Sequence, residues 1–200
     1  MNRLLAFPLL AALALVFSGA AFAGPNLIVN GGFEQPPVGG GYQLFSAGQS
    51  FPGWQVVGTP GANVAPISGA FTQNGFIFPA RSGKQWLDLT GTSDAIGKAG
   101  GGVAQTVKTV PGRRYLLTFS VGNVVDPGIF GTSSRVKVLM NGHLLISARN
   151  SGGTGDKRQV WKTFSVHFTA KSAQTQLAFL NGDPFKDTSN GLDAISLTRI

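Results

Sequence analysis

Cysteine is absent from the 200-residue chain, so no disulfide holds it and no thiol serves as nucleophile or metal ligand. Stability must come from packing, aided at most by a bound metal. Charge is scarce: Asp, Glu, Lys and Arg make up 12% of the residues, against roughly 25% in ordinary globular chains. No stretch after residue 23 carries Leu, Ala, Glu and Lys at helical spacing, which excludes an architecture of surface helices. Histidine is limited to His143 and His167, neither in a metal-ligand pair nor in a serine-hydrolase motif. Glu34 is the single glutamate. With only Asp88 and Asp193 beside it at mid-strand or strand-end positions, the paired carboxylates of a glycosidase are hard to assemble.

Long hydrophobic runs are also missing after the N-terminus. Arg3 precedes an apolar core from Leu4 to Phe17, and Ala21-x-Ala23 forms a small-residue exit, the pattern of a cleaved signal peptide. The core falls short of the roughly 20 residues that a bilayer requires. The expectation is therefore a signal peptide over residues 1–23 and one domain over 24–200. That domain would be secreted to the extracellular space or periplasm and carry no membrane anchor.

Glycine, by contrast, is abundant, at 29 of 200 residues, about twice the usual share of roughly 7%. Valine, threonine and phenylalanine recur between clusters of Gly, Asn, Asp and Pro, as in all-β proteins. Between Arg113 and Val121, Tyr115, Leu117, Phe119 and Val121 share one parity and Leu116, Thr118 and Ser120 the other, which predicts a strand with one buried face. Arg135 to Met140 leads into Asn141-Gly142, a strong hairpin signal, and Leu144 to Ala148 returns. Further strands are expected around Phe164 to Phe168, at Thr175 to Leu180, and at Gly191 to Ile200. Earlier candidates are Asn26 to Val29, Trp54 to Val57, Gln85 to Thr90 and Val103 to Thr109, with 39–61 as loop carrying short strands. Nine or so strands without intervening helices predict a two-sheet antiparallel β-sandwich.

Charge is distributed unevenly. Residues 98–200 carry 13 basic and five acidic side chains, which points to an anionic partner or to simple solubility. Arg135 and Lys137, on the outward parity of their strand, are the candidates for contact with acidic groups. Nucleic acid is not the expected partner, because no helical or RNA-binding motif accompanies the charge.

Several ordered segments resemble a known family: Asn26-Leu27-Ile28-Val29-Asn30-Gly31-Gly32-Phe33-Glu34-Gln35-Pro36, Pro52-Gly53-Trp54-Gln55-Val56-Val57, Leu87-Asp88-Leu89-Thr90-Gly91 and Ala104-Gln105-Thr106-Val107. Val110-Pro111-Gly112-Arg113-Arg114-Tyr115-Leu116-Leu117-Thr118-Phe119 completes the series. Together they look like domain of unknown function 642, a galactose-binding-like, carbohydrate-binding-module-like jelly roll. The plant members usually carry cysteines and a second related domain, and this chain has neither. The resemblance implies a jelly-roll β-sandwich that binds extracellular or cell-wall polysaccharide without catalysis. It also implies a structural calcium where the first strand's end meets the last strand, at Glu34 and Asp193 with carbonyls from Asn30 and Gly32. Calcium takes six to eight oxygens, so water would complete the set; the alternative is that Glu34 hydrogen-bonds a loop and Asp193 a turn.

Tryptophans are the natural platforms for sugar rings. Trp54, after Pro52-Gly53, reads as a core residue. Trp161 shares parity with Thr163, Ser165 and His167 and is a candidate platform. Trp86 shares parity with Asp88, so this pair could stack on a sugar and accept its hydroxyls, unless Asp88 simply fixes the following turn. The expected function is a secreted polysaccharide-binding module favouring acidic glycans. A small lyase or hydrolase on the same scaffold and a protein-binding matrix or adhesion module are the alternatives.

Overall fold

The computed structural model of the chain describes residues 24–92, 101–183 and 189–200. The expected signal peptide, residues 1–23, lies outside the described residues. The strands in chain order are β1 (Phe45–Ser46), β2 (Ser50–Phe51), β3 (Trp54–Val57), β4 (Asn63–Ser68), β5 (Thr72–Gln73), β6 (Phe76–Ile77) and β7 (Gln85–Asp88). They continue with β8 (Gly102–Lys108), β9 (Arg114–Asn123), β10 (Ser134–Met140), β11 (His143–Asn150), β12 (Val160–Thr169), β13 (Gln174–Asn181) and β14 (Gly191–Arg199). No helix occurs among the described residues. Sheet I has the order β1-β4-β7-β14-β9-β12 and sheet II the order β11-β10-β13-β8-β3-β2, while β5 and β6 form a separate hairpin. All their pairings are antiparallel, and the result is a jelly-roll β-sandwich.

Alternation along the strands decides which side chains meet between the sheets. Leu117, Phe119 and Val121 of β9 face Val136 and Val138 of β10 and Leu177 and Phe179 of β13 in one buried cluster. Phe179 is the hinge of that core, with its ring edge-on to Trp54 at 5.9 Å and to Phe119 at 5.6 Å. Trp54 is buried as expected and donates from Nε1 to the Asn30 carbonyl at 2.9 Å. The Asn141-Gly142 turn has positive φ at both residues, 49° and 82°, the geometry of a type I′ hairpin.

Two expectations need correction. Asn26 to Val29 is not a strand: it runs irregularly beside β14, tied by Leu27 N–H to the Leu197 carbonyl at 2.8 Å. The Asn26 side chain takes the Ile28 and Leu197 amides instead of leaving them to a ladder. Conversely, β4 was not foreseen, because Pro66 interrupts its pattern and burial on both faces removes the alternation. The proline is tolerated because its carbonyl takes Gln43 N–H on the side away from β7, where β1 has already ended.

The burial on both faces has a second cause. Ala65 and Ile67 of β4 and Trp86 of β7 lie on the outer face of sheet I, under Phe76 and Phe78 of the β5–β6 region and Phe130 from a later turn. A small second core therefore sits outside the sandwich. Truncation at the main core is expected to be severe: Phe179→Ala should lower unfolding free energy by about 3–5 kcal/mol. Urea denaturation checks this, and a loss below about 1 kcal/mol would contradict the packing described.

Candidate functional site

The turn after Asn26–Val29 is shaped by its backbone. Asn30 and Phe33 adopt positive φ, 54° and 57°, and the Gly31 carbonyl accepts Ile195 N–H at 2.9 Å. A side chain on Gly31 would collide with the Ile195 carbonyl. The turn thereby delivers Glu34 to the segment entering β7: its Oε1 accepts Lys84 N–H at 2.8 Å and Gln85 N–H at 3.0 Å. From β14, Asp193 Oδ2 accepts Arg81 N–H at 2.8 Å and Ser82 N–H at 3.0 Å, and Oδ1 accepts Ala194 N–H at 2.5 Å. Gly83 between these amides has φ +66°, and any side chain there would strike the Glu34 carboxylate. Two carboxylates from opposite ends of the chain thus hold the loop 81–85 by its backbone.

Asp193 is fully buried, and its carboxyl is raised to about 7. Burial is the main cause; the Ser82, Ala194 and Arg81 amides oppose it, and the Glu34 charge adds to it. Among the described residues no three or more His, Asp or Glu gather as a metal cluster. The pair nonetheless fits a hard cation in its chemistry. A Cβ on Gly32 would stand 3.7 Å from Asp193 Oδ1 and 3.8 Å from Glu34 Cγ, so Gly32 lies beside both, and Glu34 Oε2 accepts no hydrogen bond among the described residues. Asn30 does not fit. Its carbonyl already accepts Trp54 Nε1 and Phe33 N–H, and its side chain is bound to Gln35 and Pro52.

The held loop leads into the outer face of sheet I. The Pro79 carbonyl accepts Trp161 Nε1 at 2.8 Å and Gln159 Nε2 at 3.4 Å. Trp161, on β12, is half-buried and meets Trp86 edge-on at 6.1 Å. Trp86 itself is 1% exposed and donates to the Phe78 carbonyl. The expected role of Trp86 as a stacking platform is therefore corrected: the β5–β6 region covers the ring. Asp88 has the turn-fixing role, its Oδ1 accepting both Thr90 N–H at 2.9 Å and Thr90 Oγ1–H at 2.7 Å.

Asp88 also lines a groove of about 660 Å³ on this face, together with Tyr42, Leu44, Phe71, Thr92 and Ile129. Tyr42 is 51% exposed and packs edge-on against Phe71 at 5.9 Å. Thr92 at the rim is fixed by its amide bond to Asn63 Oδ1 at 2.8 Å. An exposed aromatic, apolar walls and a carboxylate at the floor can hold a ring with polar substituents. Sequence reasoning missed Tyr42; its only signal was an aromatic directly after Gly39-Gly40-Gly41 in a segment read as loop.

Arg135 and Lys137 lie elsewhere, on the outer face of sheet II. Arg135 stands directly opposite Arg149, and Lys137 opposite Ser147. The structure does not bring these cations to Asp88 or Trp161, and the sequence-derived candidates fall on two separate sheets.

Comparison with known proteins places this geometry. The family described as "Protein of unknown function (DUF642)" matches residues 26–193. No curated protein matches the chain. A cyclase from Fischerella sp. TAU, solved with 4-(1H-indol-3-yl)butan-2-one, is 20% identical with a TM-score of 0.61, covering 90% of this chain and 98% of that one. At that identity the likeness is one of fold. A family 35 carbohydrate-binding module from Clostridium thermocellum is 12% identical with a TM-score of 0.46, covering 78% of this chain and 96% of that one.

The raised carboxyl has a pH consequence. In chelator, the stability that Asp193 contributes is fully present below about pH 4, its unfolded range, and is lost as pH rises through about 7. Denaturation midpoints measured from pH 4 to 8 should fall accordingly, and the fall should shrink in Asp193→Asn. A rise over that interval due to this residue would contradict the assignment.

Proposed function

The chain belongs to the DUF642 family, and from that premise we propose that it is a non-catalytic polysaccharide-binding module. The observation that carries this reading is the Tyr42 groove: an exposed aromatic ring on a fixed edge-on support, with Asp88 at the floor to accept hydroxyls. The non-catalytic part of the proposal is supported by how the carboxylates are used. Glu34, Asp88 and Asp193 each accept backbone amides that shape turns, which commits these three carboxylates to structure rather than to an acid and base pair across a cleft.

Preference for acidic glycans is assigned to the outer face of sheet II. Arg135, Arg149 and Lys137 crowd like charges onto neighbouring strands, a repulsion that a polyanion relieves. Calcium at Glu34 and Asp193, with Gly32 beside them, would neutralise the clasp, and removal of residues 1–23 on export would place the module outside the cytoplasm.

Affinity electrophoresis of the full chain through polysaccharide gels tests the reading. Tyr42→Ala should weaken retention roughly tenfold, the loss of one stacking partner, and Asp88→Asn should weaken it less. Unchanged retention in Tyr42→Ala, or release of reducing ends by the pure protein, would overturn it. Calcium at a hundredfold excess over its dissociation constant should add about 2.7 kcal/mol of stability relative to chelator; identical melting temperatures would remove calcium.

A further inference from the structure

A second recess lies on the same face as the groove, at its other end. A cleft of about 490 Å³ opens between Pro79–Arg81 and the start of β12, lined by Arg81, Arg158, Gln159, Trp161 and Thr163. Beneath the Gln159 and Trp161 side chains lie two glycines, Gly122 of β9 and Gly191 of β14, which are register partners. A Cβ on Gly122 would come within 2.8 Å of the Gln159 side chain and 2.9 Å of the Trp161 ring; one on Gly191 would lie 3.0 Å from Gln159 Oε1. Bare backbone at both positions lets the indole and the amide settle against the sheet.

Three features of the cleft converge on one ligand chemistry. Trp161 is half-buried, its Nε1 committed to the Pro79 carbonyl, which fixes the ring as a sugar-facing surface is fixed. Gln159 is 1% exposed, yet its Oε1 accepts no hydrogen bond; a buried acceptor of this kind calls for a donor, which a hydroxyl or its bridging water supplies. Arg81 and Arg158 are exposed at the rim, and neither makes an ion pair with a described carboxylate. Their planar guanidinium forks match a carboxylate held between them. Arg81 is further held in place, because its own amide is captured by Asp193.

We propose that this cleft is a subsite for a uronate residue, with the pyranose against Trp161, its carboxylate between Arg81 and Arg158, and a hydroxyl directed at Gln159 Oε1. The assignment rests on the reading of this face as glycan-binding and adds the class of sugar. It differs from the sheet II cations, which lie on the opposite surface and have no aromatic platform among their register partners.

Calorimetric titration of the full chain with digalacturonate, the matching neutral digalactose and inorganic phosphate tests it. Digalacturonate should bind, digalactose at least tenfold more weakly, and phosphate should not displace the sugar. Arg81→Gln and Arg158→Gln, both surface changes whose folding circular dichroism verifies, should each weaken binding roughly tenfold. Lys171→Gln, an exposed change in the turn between β12 and β13, should leave it unchanged. Failure of digalacturonate to bind, equal binding of digalactose, displacement by phosphate, or indifference to both arginine changes would each overturn the proposal. Loss of the Tyr42 effect on polysaccharide retention with Arg158-dependent uronate binding intact would refute the groove alone.

Discussion

Capture of the loop 81–85 by two carboxylates is the constraint on which the functional face depends. Glu34 comes from the turn before the first strand and Asp193 from the last strand, and between them they accept four successive-segment amides, those of Arg81, Ser82, Lys84 and Gln85. Amide bonds to carboxylates are among the stronger hydrogen bonds, about 1.5–3 kcal/mol each, and they are made here beside a buried acid. The held loop presents the Pro79 carbonyl to Trp161 and Gln159. Through them the termini, the loop and the edge strand β12 become one surface. The cost is a buried carboxyl beside a second negative charge, which the amides offset only in part.

The outer face of sheet I follows from that constraint. A second small core of Phe76, Phe78, Trp86 and Phe130 covers the middle of the sheet and leaves recesses at either side. Ring contacts run from Tyr42 through Phe71, Phe78 and Trp86 to Trp161, so the two recesses are joined by packed aromatics. The basic side chains of sheet II face the other way, which gives the molecule two chemically distinct surfaces.

Much of the scaffold was legible in the sequence because strands with one buried face announce themselves. Tyr115 to Val121 alternates, and it lies in β9; Asn141-Gly142 demands positive φ, and it turns the β10–β11 hairpin. The Glu34 and Asp193 positions were also found to meet at one clasp, although Asn30 shapes the turn and binds Trp54 there. What escaped was set by tertiary cover. Trp86 and Asp88 share an outward parity as expected, but parity does not reveal that Phe78 and its neighbours lie over that face. Tyr42 and Phe71 sit in glycine-rich connections with no periodicity to mark them, and β4 is buried on both sides, which erases its alternation.

Amide hydrogen exchange at the loop tests the central claim most directly. In the full chain, Arg81, Ser82, Lys84 and Gln85 should exchange far more slowly than exposed loop amides, and Glu34→Gln should speed Lys84 and Gln85 while amides of β9 and β13 keep their protection. Free exchange of these four amides in the unaltered protein, or protection that does not change on loss of the Glu34 charge, would contradict the account.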